Sequence, residues 1–189
     1  MGLYDEIEKK FPGKKVVIRG GKIILKAKSS SQRKGTGRTR FSYIDNEKIA
    51  EMEKKAIQQG QIYIPYEVMS SKNSRVFEYL YRENEEKKVP VLGHSAQYKE
   101  YVALSNSYWA KNRQAFLQLI SKASQPYLVG FYFIRTTRQR FDYPNLMQGA
   151  MDLMVEHKWL EDDCMDIIKP IPAGYEVNKE HQGLIISVQ

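Results

Sequence analysis

Cysteine is nearly absent from this 189-residue chain: Cys164 stands alone, so no disulfide can form within it, and the expected setting is a reducing compartment. Long hydrophobic runs are missing as well. The longest apolar stretch, Tyr127 to Ile134, is eight residues, far short of the roughly 20 that a membrane-spanning helix needs. Met1-Gly2-Leu3-Tyr4 leads straight into Asp5 and Glu6, which is not the basic and then apolar pattern of a secretion leader. The expectation is a soluble, cytoplasmic protein with no membrane partner. His94, His157 and His181 have no metal-ligand spacing to one another or to Cys164, which argues against zinc. No histidine stands at a spacing that would activate Cys164 as a nucleophile. Lys34-Gly35-Thr36-Gly37 lacks the spacing and frame of a phosphate loop.

Acidic residues are also missing from one long stretch. Between Lys14 and Arg40 there are ten basic residues and no acid. Residues 1–63 hold 15 Lys/Arg against 7 Asp/Glu and residues 64–189 hold 15 against 15, so the whole net charge of +8 sits in the first third. A block of one sign attracts a polyanion, nucleic acid first among them, and Arg33, Lys34, Arg38 and Arg40 are candidate phosphate contacts. A solubilising tail would carry the same composition.

Lys14–Arg19 and Lys22–Lys26 are β-rich runs separated by Gly20-Gly21, the pattern of a basic hairpin. Ser29 to Thr39 has no large apolar residue and reads as a loop. Asp45 or Asn46 can cap a helix with Ile49, Met52 and Ala56 on one stripe, ended by Gly60. The texture then turns apolar and charge-balanced, which places a boundary between an N-terminal extension, residues 1–60, and a domain, residues 61–189. Strands are expected at Gln61–Pro65, Val76–Leu80, Val89–Leu92, Tyr127–Arg135, Ile167-Ile168 and Leu184–Ile186. Ser95 can cap a long helix with Tyr98, Tyr101, Trp109, Phe116 and Ile120 at helical spacing, a core stripe in the first instance, and Leu146–Glu156 reads as another helix. This order gives an α/β (α+β) fold, a mixed β-sheet flanked by helices.

The chemistry concentrates after the strand at Tyr127–Arg135. Asp142 sits just ahead of a helix that Pro144 helps to start, and Asn145, Gly149 and Asp152 then share one helical face. A polar stripe containing a glycine admits a close neighbour. Glu161-Asp162-Asp163 follows. Gathered carboxylates repel unless a divalent cation or a basic group lies among them, and hard oxygen ligands suit Mg²⁺, or Mn²⁺ in its place. Arg135, Arg138 and Arg140 are placed to hold a phosphate backbone. Lys72 and Arg75 are weaker candidates for the same role. The acids also fit a plainer reading, as caps of a helix and a turn.

Arg138 to Asp152, followed by Trp159-Leu160-Glu161-Asp162-Asp163, resembles the RusA family of Holliday-junction resolvases. In that family an Arg-rich stretch precedes D-x-D-N-x-x-K-x-x-x-D and a later D-D pair. The likeness extends through Pro65, Ser70-Ser71-Lys72-Asn73-Ser74 and Ser95-Ala96-Gln97-Tyr98, covers residues 61–189 and leaves residues 1–60 aside. It implies a Mg²⁺-dependent, structure-selective endonuclease, bacterial or phage-encoded, that acts on branched DNA as a homodimer and resolves four-way junctions by paired phosphodiester cleavage. By the same resemblance Asp142 and Asp163 are metal-binding catalytic acids, Asp162 supports the metal, and Asn145 and Asp152 match the motif's Asn and helical Asp. Pro144 stands where the family has a second catalytic aspartate, and Gln148 where it has a lysine. Those two departures define the alternative, a DNA-binding protein that kept the fold without the chemistry. A third reading makes the basic hairpin the functional part, binding RNA or a partner.

Overall fold

The computed structural model describes residues 14–19, 22–27, 44–81 and 88–189. Arg33, Lys34, Arg38 and Arg40, with the polar stretch Ser29–Thr39, lie outside the described residues. In chain order the elements are β1 (Lys14–Arg19), β2 (Lys22–Ala27), α1 (Asn46–Gln58), β3 (Ile62–Pro65), a 3₁₀ turn (Lys72–Ser74), β4 (Arg75–Tyr81), β5 (Lys88–His94), α2 (Ala96–Ile120), β6 (Tyr127–Arg135), α3 (Tyr143–Glu156), β7 (Ile168–Val177) and β8 (Gly183–Val188). No helix among the described residues is long and apolar enough to cross a membrane.

The chain divides into two compact units, residues 1–38 with 75–93 and residues 39–74 with 94–189. In the first, β1 and β2 form the antiparallel pair expected of the basic runs, in register from Lys14 opposite Ala27 to Arg19 opposite Lys22. β4 pairs with β5 in a separate two-stranded sheet.

The second unit is built on a four-stranded sheet of order β3-β8-β6-β7. The β3–β8 and β8–β6 pairs are antiparallel and β6–β7 is parallel, with α3 as the crossover between the parallel strands. Side chains alternate between the two faces, as the period-2 geometry of a strand requires. Ile62, Ile64, Val129, Phe131, Phe133, Leu184 and Ile186 point into the main core with Tyr101, Trp109 and Phe116 of α2 and Ala150, Leu153 and Met154 of α3. Tyr63 and Ile134 point the other way and meet Ile49 and Ala56 of α1. The mixed sheet is thus flanked by helices on both faces, as expected, and the α2 aromatics are core.

The N-terminal boundary falls elsewhere than expected. α1 does not belong to an extension ending at residue 60 but to the sheet unit, because its apolar stripe is buried against Tyr63 and Ile134. Burial of that stripe decides the helix's allegiance, not the change in charge density at Gln61. Asp45 caps α1, its Oδ1 accepting from the Glu47 amide at 3.1 Å. Gly60, at φ 67°, ends it in a left-handed turn closed by bonds from Gln61 N to Ala56 O (2.9 Å) and Gly60 N to Ile57 O (3.0 Å).

β7 is an edge strand. The bond from Tyr127 N to Ile167 O, with Tyr127 opposite Ile168, turns the peptide groups of 167 and 169 toward β6 and those of 168, 170 and 172 outward. Pro170 and Pro172 therefore stand at outward positions, where proline has no N–H to offer.

Candidate functional site

The candidate site lies where α3, the segment 66–74 and the loop after α3 converge. Tyr143 anchors the start of α3: its hydroxyl shares its single proton between the carbonyl oxygens of Phe131 and Gly174 and accepts from the Gly174 amide, and its ring packs edge-on against Phe133 at 5.0 Å. Those bonds fix the helix start to the neighbouring strands β6 and β7. Asp142 is the N-cap residue by position, but its side chain makes no capping bond and instead accepts from Asn145 Nδ2 at 2.9 Å. Asp142 is exposed and Asn145 half-buried at the helix start.

Asp152 lies ten residues further on, about 15 Å along the axis at roughly 1.5 Å per residue. Its Oδ2 accepts from Ser71 Oγ at 2.7 Å. Asp163, in the loop after α3, is half-buried, and its carboxyl is pushed above the usual carboxylate range, first by burial, then by the charge of Asp152 and by its hydrogen bond with Asp162. Asp162 also accepts from the Asp163 amide at 2.8 Å through its Oδ1. Asp163 thus lies beside Asp162 and within the electrostatic reach of Asp152. The structure holds Asp142 and Asn145 at the opposite end of the helix from Asp152, so Asp142 cannot share an ion with Asp152.

The stripe of Asn145, Gly149 and Asp152 does admit a close neighbour, and that neighbour is the chain itself. A Cβ on Gly149 would stand 2.7 Å from the Met69 carbonyl oxygen. The 69–71 backbone lies on α3 at this point and delivers Ser71 to Asp152. Glu67 holds the start of the same segment. It is buried, and accepts from Arg135 Nε (3.1 Å), the Thr136 amide (3.1 Å) and Thr136 Oγ1 (2.6 Å).

Arg135 is accordingly not a phosphate contact. It is 4% exposed. Its guanidinium donates to Glu67 and to the Gln139 carbonyl and lies 4.1 Å from the centre of the Phe141 ring, so reaching DNA would break a buried ion pair. Arg138 and Arg140 are exposed on the loop that follows, and Lys72 and Arg75 are exposed as well.

Three participants were not marked out by the sequence. Ser71 and Glu67 meet their partners only through tertiary contacts, and a serine or glutamate in a loop carries no signal of its own. Tyr98, buried on α2, has its hydroxyl pushed above its usual range by burial, then by the charges of Asp152 and Glu156. That places a phenol within the electrostatic field of the acidic group.

Among the described residues no group of three His, Cys, Asp or Glu side chains is gathered closely enough to cage a metal ion. The donor set still fits a hard cation, because Mg²⁺ is commonly held by one or two carboxylates with waters and substrate phosphates in the remaining positions. The mutual repulsion of Asp152 and Asp163 is the penalty that such a cation would relieve.

The sequence matches no protein-family model and no curated protein.

The Asp163 shift has a measurable consequence. A raised folded-state pKa means that the native protein holds the proton where the unfolded chain has released it, so stability falls as pH rises through the window between the two values. Asp163→Asn is therefore expected to raise the thermal midpoint at pH 7, with the gain shrinking toward pH 4. Melting curves across that range check this, and a variant less stable than wild type at pH 7 refutes it.

Proposed function

We propose that this protein is a Mg²⁺-dependent, structure-selective DNA endonuclease that cuts four-way junctions by paired phosphodiester cleavage. The observation that carries the reading is the electrostatic coupling of Asp152 on α3 with Asp163 in the loop that follows, Asp163 being raised first by burial and then by Asp152 and Asp162. A bound cation would polarise the scissile phosphate and lower the pKa of an attacking water. Asp152 and Asp163 are the side chains that would hold it, with Asp162 orienting the loop beneath Asp163. Ser71 fixes one oxygen of Asp152 and leaves the other for the ligand. Exposed Arg138 and Arg140, with the basic block before residue 41, supply phosphate contacts. Paired cutting calls for a homodimer, because two sites related by a two-fold axis act on the two strands. The reading carries with it a cytoplasmic, bacterial or phage-encoded protein.

A second reading has a specific observation in its favour. Asp142, the first acid of the resemblance, is about 15 Å along α3 from Asp152, and Pro144 and Gln148 replace two further motif residues. A DNA-binding protein without cleavage would tolerate all three.

A labelled four-way junction incubated with Mg²⁺ or Mn²⁺, beside a linear duplex, separates the two. Paired symmetric nicks that require metal are expected, falling roughly 100-fold or more in Asp152→Asn and Asp163→Asn. Mg²⁺ should also raise the thermal midpoint of the wild type but not of Asp163→Asn, a readout independent of cleavage. Junction binding with no cutting in either metal would establish the second reading.

A further inference from the structure

The turn after α3 carries an anomaly. It is built like the turn after α1: Trp159 N donates to Met154 O at 2.8 Å and Lys158 N to Val155 O at 2.9 Å, the same two bonds that close the α1 terminus. At α1 the left-handed residue is Gly60; here it is Lys158, at φ 59°. A lysine at that position is strained where glycine would not be. Non-glycine residues held in this region are retained where surrounding structure or function requires the side chain.

Lys158 stands at the mouth of a cavity of about 580 Å³ between α2, α3 and the following loop. That volume lies in the range of roughly 300–1,000 Å³ typical of small-ligand sites. Leu117, Tyr127, Trp159 and Leu160 give it apolar and aromatic walls. Arg113, also lining it, donates from Nε to the Lys158 backbone carbonyl at 2.8 Å, so two exposed cationic residues border the cavity side by side. Gln125 and Glu161 add a hydrogen-bonding amide and a carboxylate. A flat aromatic body inside and two cations at the mouth match a nucleotide, base inward and phosphate outward. Glu161 can accept from a ring N–H or an exocyclic amine, as a base offers. The loop that lines this cavity continues directly into Asp162 and Asp163.

We propose that this cavity is a nucleotide-binding subsite, with Arg113 and Lys158 gripping the phosphate and the base seated against Tyr127 and Leu117. The choice of a nucleotide over another aromatic anion rests on the nuclease reading; the cavity and its cations do not. The nucleotide is either free or an unstacked unit of a DNA strand.

Trp159 lines the cavity and is one of two tryptophans in the chain, so its emission reports occupancy. The full-length protein, without divalent metal, is titrated with thymidine 5′-monophosphate, with thymidine and with a short single-stranded oligonucleotide. Saturable quenching by the monophosphate is expected, with thymidine at least about tenfold weaker for want of the charge-assisted bonds. Tighter binding of the oligonucleotide assigns a strand nucleotide, and no gain over the monophosphate assigns a free one. Lys158→Gly should weaken binding about tenfold while the thermal midpoint holds or rises, because the backbone strain is relieved and the carbonyl bonded by Arg113 remains. Arg113→Met should weaken binding similarly. No saturable change, equal binding of thymidine, or unchanged affinity in both variants overturns the proposal. Because no metal is present, a protein that binds the nucleotide but never cleaves DNA refutes only the nuclease reading.

Discussion

Glu67→Ala is expected to cost about 3–5 kcal/mol of folding stability, the range for removing one partner of a buried ion pair. The side chains of Arg135 and Glu67 are only 5% and 10% exposed, so bulk solvent does little to screen the charge left behind. Three donors lose their acceptor together: Arg135 Nε, the Thr136 amide and Thr136 Oγ1. The Gln139 carbonyl and the Phe141 ring still contact the guanidinium, but neither carries a negative charge. Adding Arg135→Met to Glu67→Ala should recover part of the loss, because the orphaned charge goes with it and the single effects do not add. Denaturant unfolding of the two single variants and the double variant measures this cycle. A Glu67→Ala loss under about 1 kcal/mol would place the pair in the weak class of exposed salt bridges instead.

Gly149→Ala inverts an ordinary rule. A glycine inside a helix costs roughly 1 kcal/mol relative to alanine, so the substitution normally stabilises. Here the new methyl would sit 2.7 Å from the Met69 carbonyl oxygen and 3.5 Å from Ser70 Cα, atoms of a backbone held at Glu67 on one side and by the Ser71–Asp152 bond on the other. Overpacking of about 1–3 kcal/mol exceeds the propensity gain. Alanine should therefore lower stability modestly and valine by about 3 kcal/mol, or roughly 6–12 °C in the thermal midpoint for a chain of this size. The displaced segment would also draw Ser71 from Asp152, so the stabilisation by Mg²⁺ that the proposed site calls for should weaken in the same variants. A higher midpoint for Gly149→Ala would mean that the 69–71 backbone yields.

Both predictions concern the segment 66–71, the part of the site least legible in the sequence. Helix ends were readable because their signals are local: Asp45, Gly60 and Ser95 act on groups within a few residues, and each stands where its helix begins or ends. The long aromatic stripe of α2 was readable from its period for the same reason. Arg135 was misread because its meaning depends on Glu67, 68 positions earlier. An arginine beside two others suggests a basic patch until its partner is seen. The acidic group was half legible. Asp162 and Asp163 declared themselves by adjacency, whereas the coupling of Asp163 to Asp152 follows from where α3 ends and how the chain returns, and Asp142 stands ten residues from Asp152 along that helix. The place of α1 was obscured differently, since charge density changes at Gln61 while burial ties the helix to the strand beyond it.

The two prolines on the outer side of β7 also limit how copies of this protein can meet. A neighbouring strand laid along the first half of that side would find carbonyls at Pro170 and Pro172 but no donors there, which disfavours pairing over that half of the edge. The same gap works against strand-by-strand growth along this half of the β7 edge. A two-fold contact placed at Pro170 and Pro172 would rest on side chains and not on a shared ladder of backbone bonds. Such a contact is open to tuning by single surface substitutions that leave each subunit's sheet intact.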